Sequence, residues 1–133
     1  MPILVDIVDA IYAAAATGDY DAMETYLTDD FRVEMSPALP FAGLYEGKTA
    51  LRKLFPDVMG ALGVTNIDRG EYMVSSDSVS YKAIMSVSAP DVDPLEMLEV
   101  FSFRDDKVCE IRAYYYNPQH VVRACEANAD LAG

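Results

Sequence analysis

A chain of 133 residues with 52% hydrophobic side chains is long enough to bury a core of its own, and one domain is the expectation. Its 22 acidic and 10 basic residues leave a net charge of −12, and no lysine or arginine cluster forms a phosphate-binding stripe, so neither nucleic acid nor an anionic membrane surface is an expected partner. No apolar run approaches the roughly 18 residues that span a bilayer, and the segment MPILVDIVDA has no basic leader region or cleavage site. A cytoplasmic protein is expected.

Leu4, Ile7, Val8, Ile11 and Ala15 recur at three- and four-residue spacing, the stripe of an amphipathic helix over residues 3–17 that Gly18 stops. Asp19 can cap a second, shorter helix that buries Met23, Tyr26 and Leu27, with Thr28-Asp29-Asp30 as the turn that ends it. From Phe31 to Ser36, apolar Phe31, Val33 and Met35 alternate with Arg32, Glu34 and Ser36, as in a half-buried strand. Residues 37–46, PALPFAGLYE, carry two prolines and a glycine beside Leu39, Phe41, Leu44 and Tyr45. An irregular loop folded over a cavity mouth would hide that apolar surface.

A third helix is expected from near Gly47, with Leu51, Leu54, Phe55, Val58, Met59 and Leu62 on one side and a kink or break at Pro56. Residues 64–74 and 79–87 read as two long strands around Ser75-Ser76-Asp77-Ser78, the second with Val79, Tyr81, Ala83, Met85 and Val87 on one face. Residues 89–94, APDVDP, interrupt the sheet. Asn117-Pro118 supplies the start of a short closing helix to about Ala127, beyond which the chain is expected to fray.

The most informative stretch is Leu95 to Tyr116, two apolar runs joined by Arg104-Asp105-Asp106-Lys107, a link suited to an antiparallel hairpin. Alternation puts Met97, Glu99, Phe101 and Phe103 on one face of the first run, and Cys109, Ile111, Ala113 and Tyr115 on the matching face of the second. Glu99 is then the only ionisable acid on a shared apolar face, where desolvation is expected to raise its pKa. Two readings stand for it: a general acid or protonated hydrogen-bond donor in an apolar cavity, or a structural carboxyl satisfied by a tyrosine. Tyr12, Tyr45, Tyr72, Tyr81 and Tyr115 could offer hydroxyls to a ligand oxygen, with Tyr12 and Tyr115 the best placed. The opposite face holds Leu98, Val100, Val108, Tyr114 and Tyr116, more apolar than water-facing positions require, so a two-fold homodimer through it is expected. Arg112 shares that face, with Glu110, Glu96 or a second subunit as its expected partners.

Helices gathered on one side of a long, mostly antiparallel sheet make an α+β layout with a concave space between the layers. Ile11, Ala15, Met35, Phe41, Phe55, Tyr81, Met85, Met97, Phe101, Ile111 and Ala113 are the candidate walls of that space. Glu99, Tyr12 and Tyr115 are the candidate catalytic groups. Neither a cofactor nor a metal is expected: the paired aspartates 29/30, 91/93 and 105/106 sit in turns, and no glycine-rich phosphate loop or G-x-S-x-G elbow occurs. Cys109 and Cys125 are expected to be reduced, with the single His120 distant from both.

Three stretches, ATGDYDAMETYLTDDFRVEMSP, LPFAGLYEGKTALRKLF and LEVFSFRDDKVCEIRAYYYNP, together with the spacing between them, give the chain a resemblance to the SnoaL-like and ketosteroid-isomerase-like branch of the nuclear-transport-factor-2-like superfamily. The resemblance implies a cone-shaped, curved, mostly antiparallel sheet wrapped on N-terminal helices, the cystatin-like roll. It also implies which positions to inspect. The aspartate base of steroid isomerases of this fold falls on Met35, their first-helix tyrosine on Ile11 with Tyr12 beside it, and their protonated second acid on Glu99. The aspartate of limonene-epoxide-hydrolase relatives falls on Ala113, and the cavity histidines of scytalone-dehydratase relatives have no counterpart, since His120 follows the last strand. Polyketide cyclases of this fold use a cavity acid, a part Glu99 can fill.

The expected function is therefore a cofactor-independent, isomerase- or cyclase-type enzyme acting by proton transfer on a hydrophobic carbonyl compound, such as a polyketide or steroid-like ring. A non-catalytic dimeric binding protein for an apolar ligand is the alternative, and an association module docking a partner on its sheet is a third.

Overall fold

The amphipathic stripe at the N-terminus forms helix α1, Leu4–Thr17, in the computed structural model, which describes residues 3–132. It buries Ile7, Val8, Ile11 and Ala14 and ends at Gly18 in the left-handed region. Asp19 caps α2, Tyr20–Glu24, by accepting from the Ala22 N–H at 3.1 Å. The expected turn at residues 28–30 is instead strand: β1 runs Leu27–Met35, with Leu27 fully buried. Its early start depends on a distant partner, since the Val108 N–H donates to the Tyr26 carbonyl at 2.8 Å.

The expected loop over residues 37–46 is also only partly irregular. Its last four residues, Gly43–Glu46, form edge strand β2, paired antiparallel with Met35–Arg32. Both prolines stay outside it, as the ladder requires. Helix α3, Ala50–Leu62, continues through Pro56 rather than dividing there; Arg52 and Pro56 are exposed, so water can reach the carbonyl that the ring leaves free. At its end Gly63 has φ 65°, and a Cβ there would meet Asn128 Oδ1 at 2.6 Å and Ser88 Oγ at 2.5 Å, so only glycine fits.

The long strand expected over residues 64–74 is two strands, β3 (Val64–Arg69) and β4 (Met73–Val74), both paired antiparallel with β5 (Ser78–Val87). The hairpin forms as β6, Leu95–Arg104, and β7, Lys107–Tyr115. Asp105 and Asp106 turn it with φ of 53° and 62°, the pair of positive angles that a two-residue turn of matching twist demands. Sheet order is β2-β1-β7-β6-β5-β3, mixed because β1 and β7 run parallel, and otherwise antiparallel. Helix α4 is longer than expected, Pro118–Ala132, because it docks on α3: the Asn128 side-chain N–H donates to the Gly60 carbonyl at 2.8 Å, beside the longer bond that carbonyl accepts from the Gly63 N–H. No helix among the described residues is long and apolar enough to cross a membrane.

One register detail changes the face assignment. Ser102 pairs with Glu110 but Phe103 pairs with Val108, so Cys109 is an extra residue in a β-bulge. Val108 therefore faces inward and is fully buried, while Cys109, expected on the inner face, is half-buried with its thiol 3.5 Å from the Ser102 carbonyl. The outer apolar patch is thus Leu98, Val100, Tyr114 and Tyr116, without Val108.

Candidate functional site

The inner face of the sheet meets α1 and α3 around a cavity of about 90 Å3 with one carboxyl in its wall. Strand parity delivers Glu99 there, between Tyr81 of β5 and Ala113 of β7, its cross-strand neighbours. Ala113 is the small member of that row, and its missing bulk leaves space beside the carboxyl. Met35, Phe55, Met85, Met97, Ile111 and Tyr115 complete the expected part of the wall. Ile11, Ala15 and Phe101 line a smaller lobe of about 60 Å3 that shares Tyr12, Leu51, Phe55, Glu99 and Ile111 with the first.

Two expected wall residues lie elsewhere. Phe41 packs half-buried on the core, and its carbonyl accepts from the Tyr45 hydroxyl at 2.9 Å; none of residues 37–46 lines the cavity. Tyr81 is completely buried behind the wall. From the apolar side of α3 only Phe55 is an expected wall residue, and Leu51, Leu54, Val58 and Met59 line the cavity beside it. Val33 and Ile67 are further wall residues that were not anticipated.

Polar groups at the site form a directed chain. The Tyr81 hydroxyl donates to the Tyr12 hydroxyl, and Tyr12 donates to Glu99 Oε1 at 3.2 Å. Tyr12 sits on α1 and Tyr81 on β5, so the chain ties the helix layer to the sheet behind the carboxyl. Burial pushes the Glu99 carboxyl up to about 7, opposed by the tyrosine hydroxyls and by the positive charge of Arg69. Burial likewise raises Tyr12, Tyr81 and Tyr115, with the neighbouring Glu99 charge adding to each, so all three are neutral phenols at physiological pH. Glu99 is half-buried, with its accessible surface on the cavity it borders.

Consequently the three candidate catalytic groups hold different positions. Tyr12 has its proton engaged by Glu99 and its oxygen by Tyr81. Glu99 has Oε2 unengaged, and the Tyr115 hydroxyl makes no hydrogen bond among the described residues, although the residue lines the cavity. An arrangement of this kind can present one or two hydrogen-bond donors to a ligand oxygen in an apolar, low-dielectric space.

Arg69 was missed. Its guanidinium carbon stands 4.2 Å from the centroid of the Tyr12 ring, and its Nη1 donates to the Tyr72 hydroxyl at 2.6 Å. The available signal was parity: Arg69 is two residues from Ile67 on β3, so an inward Ile67 puts Arg69 at the rim of the same face. Glu34 accepts from Arg112 at 2.6 Å on the outer face and adds no carboxyl to the cavity.

Comparison with known proteins follows the same lines. A profile of the SnoaL-like domain matches residues 8–111. The fold is similar to that of an NTF2-like protein from Burkholderia xenovorans, at 23% identity and TM-score 0.72 over 92% of this chain and 95% of that one. A candidate polyketide cyclase from Sinorhizobium meliloti is similar at 20% identity and TM-score 0.66, covering 85% and 94% of the two chains. TerC, co-crystallised with polyporic acid, is similar at 14% identity and TM-score 0.76, covering 92% and 98%. No curated protein matches.

Proposed function

We propose a function that starts from membership: this chain belongs to the SnoaL-like domain family. Within it the protein acts as a cofactor-independent, isomerase- or cyclase-type enzyme on a hydrophobic carbonyl compound. The observation that carries this reading is the isolation of Glu99, the sole carboxyl among the described residues in the wall of an apolar cavity, with its pKa raised to about 7 by burial. At neutral pH both of its forms are populated. The ionised form accepts the proton from the carbon next to the ligand carbonyl as charge develops on the ligand oxygen, and the carboxyl, now protonated, returns that proton to the product from Oε2. Tyr115 supplies a second donor. Tyr12 orients the carboxyl through their hydrogen bond.

Similarity to a candidate polyketide cyclase and to a protein that binds polyporic acid favours a ring-shaped ligand. The cavity of about 90 Å3 with its adjoining lobe of about 60 Å3 favours a small one, since an engineered cavity of about 150 Å3 accommodates benzene. A homodimer through the outer sheet face is part of the proposal: Leu98, Val100, Tyr114 and Tyr116 lie there, and Arg112 Nε is buried without a partner among the described residues. The unpaired Cys109 and Cys125 suit a reducing compartment such as the cytoplasm.

Proton transfer is tested by deuterium exchange at the α-carbon of cyclohexanone or acetophenone in heavy water, followed by NMR. Wild type should accelerate exchange, and Glu99→Gln should lose about 100- to 10,000-fold of the acceleration while still binding the ketone. The second reading, an apolar-ligand carrier, is favoured by the lack of a second carboxyl among the described residues lining the cavity. Ketone binding without any acceleration in wild type would establish it instead.

A further inference from the structure

Behind the Tyr12 ring lies a second space, an open cleft between α1, α3 and β3 lined by Asp9, Tyr12, Ala16, Phe55, Ile67 and Arg69 among others. Tyr12, Phe55 and Ile67 border both this cleft and the 90 Å3 cavity, so these three side chains are the partition between them. The partition is thin: Glu99 holds the Tyr12 hydroxyl on the cavity side, and Arg69 covers the ring from the cleft. A substituent of a ligand seated beside Glu99 that passes Tyr12, Phe55 and Ile67 emerges against Arg69.

Arg69 is built to receive such a substituent. Among the described residues it is the one cationic side chain lining either lobe of the cavity or the cleft. Both of its recorded polar contacts use Nη1, to the Tyr72 hydroxyl at 2.6 Å and to Asp9 at 3.4 Å. Nε and Nη2, the edge of the guanidinium that binds a carboxylate through two parallel hydrogen bonds, have no partner among the described residues. The long Asp9 contact leaves this charge only loosely neutralised, and Asp9 is itself engaged by the Tyr72 hydroxyl. Only part of the side chain is exposed, so an ion pair here is less screened than one on open surface. The chain's overall −12 charge repels anions generally, yet charges beyond about 8 Å are largely screened at physiological salt.

We propose that this cleft is the entrance to the cavity and that Arg69 recognises a carboxylate on the ring compound that enters, making the substrate class a cyclic keto acid rather than a neutral ketone. The proposal rests on the carbonyl-cavity reading above and narrows it. Arg69 is in this account a specificity-determining residue, and Asp9 is its internal competitor.

The test compares two probes that differ by one carboxylate, acetophenone and 4-acetylbenzoate, by titration calorimetry. Wild type should bind 4-acetylbenzoate at least about tenfold more tightly, as a hydrogen-bonded charge pair contributes roughly 1.5–3 kcal/mol. Arg69→Gln should bring the two probes within about twofold of each other, whatever it does to the affinity they share, and Asp9→Asn should widen the preference for 4-acetylbenzoate. Arg69→Lys, which keeps the charge but loses the fork, should retain part of the preference. Should Arg69→Gln fail to fold, the same preference measured in wild type must shrink as salt rises from about 0.02 to about 0.5 M. Equal binding of both probes by wild type, or a preference that survives Arg69→Gln or rising salt, overturns the inference while leaving the cavity reading intact. Binding of neither probe overturns both.

Discussion

Glu99 and Glu110 lie on neighbouring strands of one hairpin, and their surroundings could hardly differ more. Glu110 is on the outer face, 2.9 Å from Arg32 and 3.6 Å from Arg112, in an ionic lattice that Glu34 completes by contacting both arginines. Glu99 is on the inner face with no cation in hydrogen-bonding contact, two tyrosines in series behind it and a cavity in front. Acids on the lattice side are held by charge. The acid on the cavity side is held by neutral donors and loses hydration, which is what moves its proton affinity into the neutral range. On this hairpin the carboxyl with the raised proton affinity is the one denied an arginine hydrogen bond.

Glu99→Gln gives the largest expected effect on stability. Because the folded state raises this pKa from 4.5 to about 7, the folded protein keeps a proton that the unfolded chain has already released between those values. The stabilising contribution is fully present below about 4.5 and lost as pH rises through about 7. Glutamine has no charge to bury, so at pH 8 the variant should be more stable by on the order of 3 kcal/mol, with the gap closing towards pH 5. Urea unfolding at the two pH values measures this; a gap independent of pH would show that Glu99 is not desolvated.

Tyr12→Phe comes next. It removes a donor that favours the ionised carboxyl, so the pH at which Glu99-dependent exchange changes should move upward, and stability should fall by about 1–3 kcal/mol because the Tyr81 hydroxyl loses its acceptor. A pH profile left in place would place Tyr12 outside the acid's immediate environment. On the lattice side Glu34→Gln should change stability by no more than about 1 kcal/mol, since Glu34 and Arg32 are both substantially exposed. A much larger loss by the same unfolding measurement would mean that a second subunit buries the lattice. Leu98→Asp tests that interface directly, and its sedimentation should shift from dimer to monomer. Smallest of all, Asp106→Gly should stabilise the hairpin by a few tenths of a kcal/mol, because glycine adopts the positive φ of that turn position without strain. An unchanged unfolding midpoint would show that the aspartate tolerates the turn fully.

Much of this molecule is legible in its sequence wherever the controlling contacts are local. The stripe on α1, the cap at Asp19, the hairpin link at Arg104–Lys107 and the inward parity of Glu99 follow from spacing, since successive residues of a strand or helix are forced onto defined faces. What was not legible depends on partners far along the chain. Leu27 joins a strand because Val108 is its neighbour, the last turns of α4 form because Asn128 reaches the end of α3, and Val108 changes face because of a bulge at Cys109 that alternation cannot reveal.

The candidate site divides in the same way. Its carboxyl and most of its walls could be named from periodicity alone, because desolvation follows from which face a residue occupies. The order Tyr81 to Tyr12 to Glu99, the free Tyr115 hydroxyl and the Arg69 guanidinium on the Tyr12 ring were decided by the tertiary structure. These contacts join residues up to 87 positions apart, and hydrogen bonds of that kind are set by how the helix layer docks on the sheet, which no local pattern encodes.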